Sequence, residues 1–452
     1  MKTLTIDTQN VQGRIKPLHG VGSGPLTGNF SFDMRDAYRE AGIPFGRTHD
    51  TEYPFGSGAF VDIPCIFRNF DADVNAPESY DFSQTDLYIQ AILDAGAKPF
   101  YRLGVSIEHT PVKRNIYAPK DPEKWAQICE HIIAHYNEGW NNGMHAGIEY
   151  WEIWNEPESP NMWIGTREQL FELYEHAARR LKNRFPNIKI GGYASCGFYA
   201  LTEIPADLPE SELTNGQKRW KTFVEYADAF LAFCVEKKLP LDFYSWHLYH
   251  SNPETYAVHA QYVRALLDRY GFTATESVLD EWNLSGQDMF NRMVTREGAA
   301  HAAAVMCQMQ NNHVDAATYY DAQPAMPYCG IFYENTSKPT PTFYSFKFWN
   351  RLHELGNLVP VSVSGDHVYA AAAVSDDGKT RALLISHYTA EDAQISVEFQ
   401  NLPKKASYTM LGVDAVHLDT EVNHGPLYDD YPYARWIAPG FGAYLIEIHD
   451  QD

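Results

Sequence analysis

Tyr150-Trp151-Glu152-Ile153-Trp154-Asn155-Glu156-Pro157 is the stretch on which the fold turns. Ile148, Tyr150 and Ile153 suit the interior of a buried strand, and Pro157 stops the ladder because it has no N–H to donate. The strand therefore ends in an amide, a carboxylate and a proline. Glutamate is mostly solvent-exposed in proteins, so one held at the lip of a buried strand, framed by Trp151, Trp154 and Asn155, is costly to keep for packing alone. It is placed for acid chemistry on something flat and hydroxylated.

Ser277-Val278-Leu279-Asp280-Glu281-Trp282-Asn283 has the same form: a short apolar run, then acids, an indole and an amide. Glu156 and Glu281 are too far apart in sequence to meet through local structure. They meet if both strands belong to one closed parallel barrel, whose strand C-termini open on a single face. Paired carboxylates are what glycosidic bond cleavage needs. One is protonated and gives its proton to the leaving oxygen; the other is ionised and attacks the anomeric carbon or activates water. Burial beside indoles raises one acid, and an arginine keeps the other charged. Arg47, in the strand-like Ile43–His49, is the candidate arginine. Asp280 is the confusable neighbour. Alternation along a strand puts it on the opposite side from Glu281, as a structural hydrogen-bond acceptor.

Outward from these two strands the chain alternates short apolar runs with helical patterns. Strands are expected at 19–23, 44–49, 98–103, 148–154, 188–193, 243–247, 277–281 and 316–320. Helices are expected at 31–41, 84–95, 121–137, 167–184, 219–237, 253–270, 295–310 and 342–353. Gly42 and Gly96 stand where C-terminal glycines belong, and Asp121-Pro122 supplies an N-cap with proline at the first helical position. Eight alternating units indicate an α/β fold of the (β/α)8 TIM-barrel type across residues 15–355. A doubly wound open sheet is the alternative architecture, but Gly20–Gly24 has no long helix directly behind it and opens no nucleotide site. After Gly356 the texture changes to short alternating runs with a turn at Asp376-Asp377-Gly378-Lys379. Residues 356–452 read as a β-sandwich, and residues 1–14 as a single strand that completes it.

The chain has 452 residues, 44% hydrophobic and 21% charged, the composition of an ordinary globular enzyme. A formal net charge of −22 repels nucleic acid and anionic membranes and favours a neutral saccharide as the partner. The six cysteines are scattered with no C-x-x-C pair, so they read as buried thiols, with neither a metal nor a cofactor implied. No run is long and apolar enough to span a membrane, and Met1–Asn10 has no apolar core of a signal peptide. The expectation is a soluble chain, cytoplasmic, or periplasmic or secreted with its signal removed.

Other strand ends supply further candidates. In Trp246-His247-Leu248-Tyr249-His250, alternation puts His247 and Tyr249 on one face, where the Tyr249 hydroxyl reaches Glu281. The alternative is a satisfied buried histidine and a packed tyrosine. His247 and His250 lack the spacing of a helical zinc pair. His49 ends the second strand, and Glu108 follows the third as a rival to Glu156. Trp282, Tyr320 and Asp321 join the substrate-binding or orienting set, the last two at the pocket floor.

Taken together these residues resemble glycoside hydrolase family 39, within the clan of (β/α)8 retaining glycosidases. Asn155-Glu156-Pro157 matches the family's acid/base strand and Glu281-Trp282-Asn283 its nucleophile strand. Arg47-Thr48-His49, Tyr80-Asp81-Phe82 with Ala97–Phe100, and His247-x-Tyr249 resemble its second, third and sixth strands. The likeness spans nearly the whole chain. It implies Glu156 as acid/base, Glu281 as nucleophile, Asn155 on the sugar 2-hydroxyl, and Arg47 and Tyr249 orienting Glu281. It also implies a carboxylate separation of ~5–5.5 Å. Three positions depart from the family's β-xylosidases: Glu158 stands for the usual Asn, Asp280 for the usual Thr, and Tyr319-Tyr320-Asp321 for a tryptophan-bearing eighth strand. The expected activity is a retaining exo-glycosidase of β-D-xylosidase type. The alternatives are another glycone (arabinose, galactose, glucose or a uronic acid) and a non-catalytic carbohydrate-binding barrel.

Overall fold

The computed structural model describes residues 1–27, 30–51, 59–402, 405–428 and 430–450. Eight parallel strands close on themselves: Gly20–Gly22, Phe45–Arg47, Lys98–Leu103, Tyr150–Ile153, Lys189–Ser195, Phe243–Tyr249, Glu276–Asn283 and Ala316–Tyr319, the last pairing with both the seventh and the first. The first strand is glycine-rich for a steric reason. A Cβ on Gly20 would stand 2.6 Å from the carbonyl oxygen of Ala317 on the neighbouring strand. Helices Ser83–Asp94, Pro122–Glu138, Arg167–Arg184, Asn215–Lys237, Pro253–Arg269, Arg296–Asn311 and Pro341–Leu355 lie between and after the strands. Arg167–Arg184 and Asn215–Lys237 both open with capping boxes, from Thr166 with Gln169 and Thr214 with Gln217.

Alternation stacks the barrel interior in layers. The lowest is apolar: Phe45, Phe100, Tyr150, Phe243, Val278 and Ala316 form one buried cluster, with Phe100 stacked on Tyr150 at 5.0 Å between ring centroids. Two residues further along each strand come Arg47, Arg102, Glu152, Ser245, Asp280 and Thr318, all buried. A polar storey therefore rests on an aromatic floor, and the strand C-termini open above it.

Two further sheets complete the molecule, the larger antiparallel and the smaller mixed, since Lys2–Asp7 runs parallel to Ala393–Gln400. The larger holds Val368–Val374, Thr380–His387, Ala406–Val413, Leu418–Leu427, Gly442–Asp450 and two short strands, Asn357–Val359 and Gly13–Arg14. The smaller joins Val361–Ser364, Lys2–Asp7, Ala393–Gln400 and Tyr433–Ala438. The opening segment is thus two strands in different sheets rather than one, because the chain turns at residues 8–9 between them. Val368–Val374 shows why this half does not read as a clean alternation. Val368, Ala370, Ala372 and Val374 face the smaller sheet, while Tyr369, Ala371 and Ala373 belong to the barrel's core cluster. Both faces are buried, so both are apolar. Ser386 Oγ donates to the carbonyl of Ala300 at 2.6 Å and Arg351 pairs with Glu447 at 2.6 Å across the same junction. No helix among the described residues is long and apolar enough to cross a membrane, and all six cysteines are free thiols.

Candidate active site

The end of the fourth strand is bent into place by its neighbours. Trp154 and Glu156 both adopt left-handed backbone, φ 72° and φ 44°, a conformation that costs on the order of 1 kcal/mol or more for such residues. It is held by the Trp154 N–H donating to the Leu103 carbonyl at 2.8 Å and the Glu156 N–H donating to the Ala194 carbonyl at 2.9 Å. The result is that the Glu156 side chain leaves the wall and stands over the barrel mouth, half-buried.

Glu281 faces it. Carboxylate oxygens of the two, with a ring nitrogen of His247, lie within 4.8 Å of one another. His247 Nδ1 is 2.8 Å from Glu156 Oε1 and 3.4 Å from Glu281 Oε2. Glu281 is held on both oxygens. Arg47 Nη1 donates to Oε1 at 2.9 Å, with His49 Nε2 at 3.4 Å, and the Tyr249 hydroxyl donates to Oε2 at 2.7 Å. Burial pushes this carboxyl up, but His247, His49, Arg47 and Tyr249 outweigh it and keep Glu281 below the ordinary carboxylate range. Arg47 Nη2 also donates to Asn155 Oδ1 at 2.6 Å. Guanidinium only donates, so the Asn155 oxygen must face it and the amide NH₂ is turned toward the pocket. Tyr320 lines the same mouth: its hydroxyl donates to Asp50 Oδ2 at 2.7 Å, and Asp50 in turn holds His49 Nδ1 at 2.7 Å.

Four sequence expectations are corrected. Trp282 is fully buried, and its indole packs on Tyr319, Tyr256 and Phe346, on the helix side of the wall and away from the pocket. The indoles of the fourth strand do not frame the acid either. Trp151 stacks on Tyr101, and Trp154 packs on Trp163 with its N–H donating to Met162. Glu108 accepts the backbone N–H groups of Arg114 and Asn115 at 2.7 and 2.9 Å, so it organises its own loop. Asp321 is buried, accepts from the Gln323 N–H at 3.2 Å, and shares no hydrogen bond with either glutamate.

Asp280 is a fifth. The seventh strand bulges: Trp246 pairs with Leu279, but His247 pairs with Glu281, so Asp280 is skipped. Both acids therefore turn inward instead of to opposite faces. Asp280 sits below Glu281, 3.1 Å from Arg47 Nε and 3.5 Å from His247 Nε2. Glu152, quoted in the sequence but given no role there, accepts from Arg47 Nε and Nη2 at 2.9 and 2.6 Å with no exposure at all. The signal for it was available, since alternation from Tyr150 aims it inward.

Glu158 is half-buried behind Glu156. Ser195 Oγ donates to it at 2.9 Å, and the Cys196 N–H is 3.4 Å away. Burial pushes its carboxyl up from 4.5 to about 7. A carboxyl raised by folding binds its proton more tightly in the native state, so stability falls as pH climbs from about 4.5 to 7. Glu158→Gln is expected to flatten that fall, as read by urea midpoints at about pH 5 and about pH 8. An unchanged slope would remove Glu158 as its source.

The pattern of glycosyl hydrolases family 39 matches residues 4–319, which takes in Arg47, Glu156, His247 and Glu281. A β-xylosidase of Geobacillus stearothermophilus is 27% identical over 342 residues, 66% of this chain and 62% of the relative. A β-xylosidase of Caldicellulosiruptor saccharolyticus is 30% identical over 203 residues, 42% of this chain and 34% of the relative. The chain thus spans less than two thirds of the length of either. Among solved structures, a glucosidase from Croceicoccus marinus superposes with TM-score 0.80 at 22% identity, over 100% of this chain and 99% of that one. A monomeric β-xylosidase from Caulobacter crescentus CB15 superposes with TM-score 0.70 at 16% identity, over 100% of both. These structures share the fold. The match across the barrel, both glutamate-bearing strands included, shows that the chain belongs to glycosyl hydrolase family 39.

Proposed function

We propose that the protein is a retaining exo-glycoside hydrolase acting on a neutral saccharide, of β-D-xylosidase type, by double displacement through a covalent glycosyl-enzyme. The observation that carries this is the pairing of an ionised Glu281, held on both oxygens, with Glu156 across a gap of at most 4.8 Å between facing oxygens. That distance suits direct attack on an anomeric carbon and leaves little room for a water between acid and sugar.

In the first step Glu156 gives its proton to the glycosidic oxygen while Glu281 attacks the anomeric carbon. In the second, Glu156 takes a proton from water, which displaces Glu281. Arg47 and Tyr249 hold Glu281 in line, so no reorganisation is needed as charge moves off it. Asn155, with its oxygen taken by Arg47, offers N–H donors to the sugar 2-hydroxyl, a contact that strengthens as oxocarbenium character develops. The carboxylates of Glu281 and Asp50 around the mouth disfavour a uronate.

The β-xyloside assignment draws on the two relatives described as β-xylosidases. A β-glucoside is the second reading, because a glucosidase has the same architecture at TM-score 0.80. Aryl glycosides of xylose, glucose, galactose, arabinose and glucuronic or iduronic acid separate these by kcat/KM. The xyloside is expected to lead, and a preference for glucoside or iduronide would overturn the glycone. A 2-deoxy-2-fluoroxyloside with a good leaving group is expected to label the peptide that carries Glu281. Labelling elsewhere would overturn the mechanism, and xylo-oligosaccharide binding with no hydrolysis of any glycoside would point to a binding barrel.

A further inference from the structure

The polar storey beneath Glu156 and Glu281 holds more charge than two-step displacement requires. Glu152 and Asp280 are fully buried, and both carboxyl groups lie on the one Arg47 guanidinium, at 2.6 and 3.1 Å. Two like charges buried this close disfavour ionising together, so one of the two carboxyl groups keeps a proton. Glu152 keeps it: burial pushes this carboxyl well above the ordinary range, more than Arg47 pulls it down, and Asp280 pushes it further. Asp280 goes the other way. Burial would raise it, but Arg47 and His247 hold it ionised.

His247 stands between that fixed anion and Glu156. Its Nε2 is 3.5 Å from Asp280 Oδ1, and its Nδ1 is 2.8 Å from Glu156 Oε1. Burial would strip the ring of its second proton, yet Glu281 and Asp280 together outweigh burial. Charged and titratable groups face the ring from every side: Arg47 and His49 from the second strand, Glu152 and Glu156 from the fourth, Asp280 and Glu281 from the seventh, and Tyr249 on its own strand. Glu158, pushed up to about 7, and the Cys196 thiol, pushed up by burial, lie behind Glu156. With Glu156 in its proton-donor state the charges close. Arg47 and His247 are cations, Asp280 and Glu281 anions, and Glu152 and Glu156 neutral.

We propose that Asp280 is a positioning residue for the proton donor: it keeps His247 doubly protonated, so that the Nδ1–H stands ready for the negative charge left on Glu156 when its proton departs. In that step the O–H bond of Glu156 breaks and its proton goes to the glycosidic oxygen. The electron pair of the breaking C–O bond stays on that oxygen, and the new carboxylate on Glu156 is met by the imidazolium. Asp280 acts from one ring away and touches no substrate. The proposal rests on the acid/base role given to Glu156 above.

The test uses the intact chain with ¹⁵N-labelled histidine. His247 is expected to show two protonated ring nitrogens in the wild type at about pH 8, where an ordinary histidine is neutral. A neutral His247 there would overturn the proposal whatever any variant does, so it stays falsifiable even if a variant fails to fold. Asp280→Asn is expected to make the ring neutral at that pH and to move the basic limb of kcat/KM upward. It should slow an alkyl glycoside roughly tenfold, a fraction of what general acid catalysis supplies, and spare a dinitrophenyl glycoside, which needs no proton. Equal slowing of both substrates, or an unmoved basic limb, would overturn it. A doubly protonated His247 in a chain without glycosidase activity would instead sink the role of Glu156, which separates the two failures.

Discussion

Glu281→Ala is expected to cut turnover of aryl xylosides by at least about 10⁴-fold, the scale on which removing a nucleophile acts in other covalent enzymes. The same variant carries its own control. Removing the side chain empties a space lined by Arg47, His49, His247 and Tyr249, all of which had been bonded to or facing an anion. Azide, a small anion, fits that surrounding and attacks the anomeric carbon from the side Glu281 occupied. Because Glu156 is untouched, the leaving group is still protonated, but only one displacement takes place. The product is therefore a glycosyl azide of inverted configuration, identified by its anomeric proton coupling. Near-native rates without azide, or a rescued product of retained configuration, would exclude Glu281 as nucleophile.

The second large effect is structural. Arg47 is fully buried, and its guanidinium is the cation shared by Glu152, Asp280 and Glu281. Arg47→Met keeps most of the volume and removes the charge. Leaving buried carboxylates without a partner costs about 3–5 kcal/mol, against a total stability of about 5–15 kcal/mol for a typical domain. The cost should be read by urea unfolding near neutral pH. It has a definite pH dependence. Without Arg47 the carboxyls are raised above their unfolded values, so the loss is full at high pH and shrinks as they are protonated on the acid side. Asp280→Asn in the Arg47→Met background, which removes the buried anion that Arg47 had balanced, should restore part of the loss. A cost under about 1 kcal/mol would mean that the storey is not held by this arginine.

The barrel was legible because its signals are local and repeated. Each strand is a short apolar run, each helix has a cap, and the eight units follow in order. Three strands of the sandwich, Ala406–Val413, Leu418–Leu427 and Tyr433–Ala438, were not foreseen. Leu418–Leu427 is an edge strand with acids, a glycine and a proline, which reads as loop without its partner. Ala406–Val413 does alternate, and its burial follows the alternation, so that signal was present. In the site, Arg47, Asn155, Glu156, His247, Tyr249 and Glu281 converge as their positions at strand ends suggested. What failed was the assignment of faces. A bulge of one residue lets Glu281 turn inward as well as Asp280, and nothing in Leu279-Asp280-Glu281 marks where the ladder slips. The tryptophans misled in a different way. Indoles next to a catalytic acid suggest a sugar platform, but alternation sends Trp151 and Trp282 outward to meet helices.

The pairing of Lys2–Asp7 between Val361–Ser364 and Ala393–Gln400 has a consequence for biosynthesis. Lys2–Asp7 finds its strand partners only when residues 361–364 and 395–400 have been made. Thr3 waits for Ser364, and Leu4 for Val397. Until then its apolar side chains have no seat, and the sheet that braces helices Arg296–Asn311 and Pro341–Leu355 is missing. Such long-range contacts form late and slowly. This part of the molecule is therefore closed by a clasp whose two halves are made far apart in time.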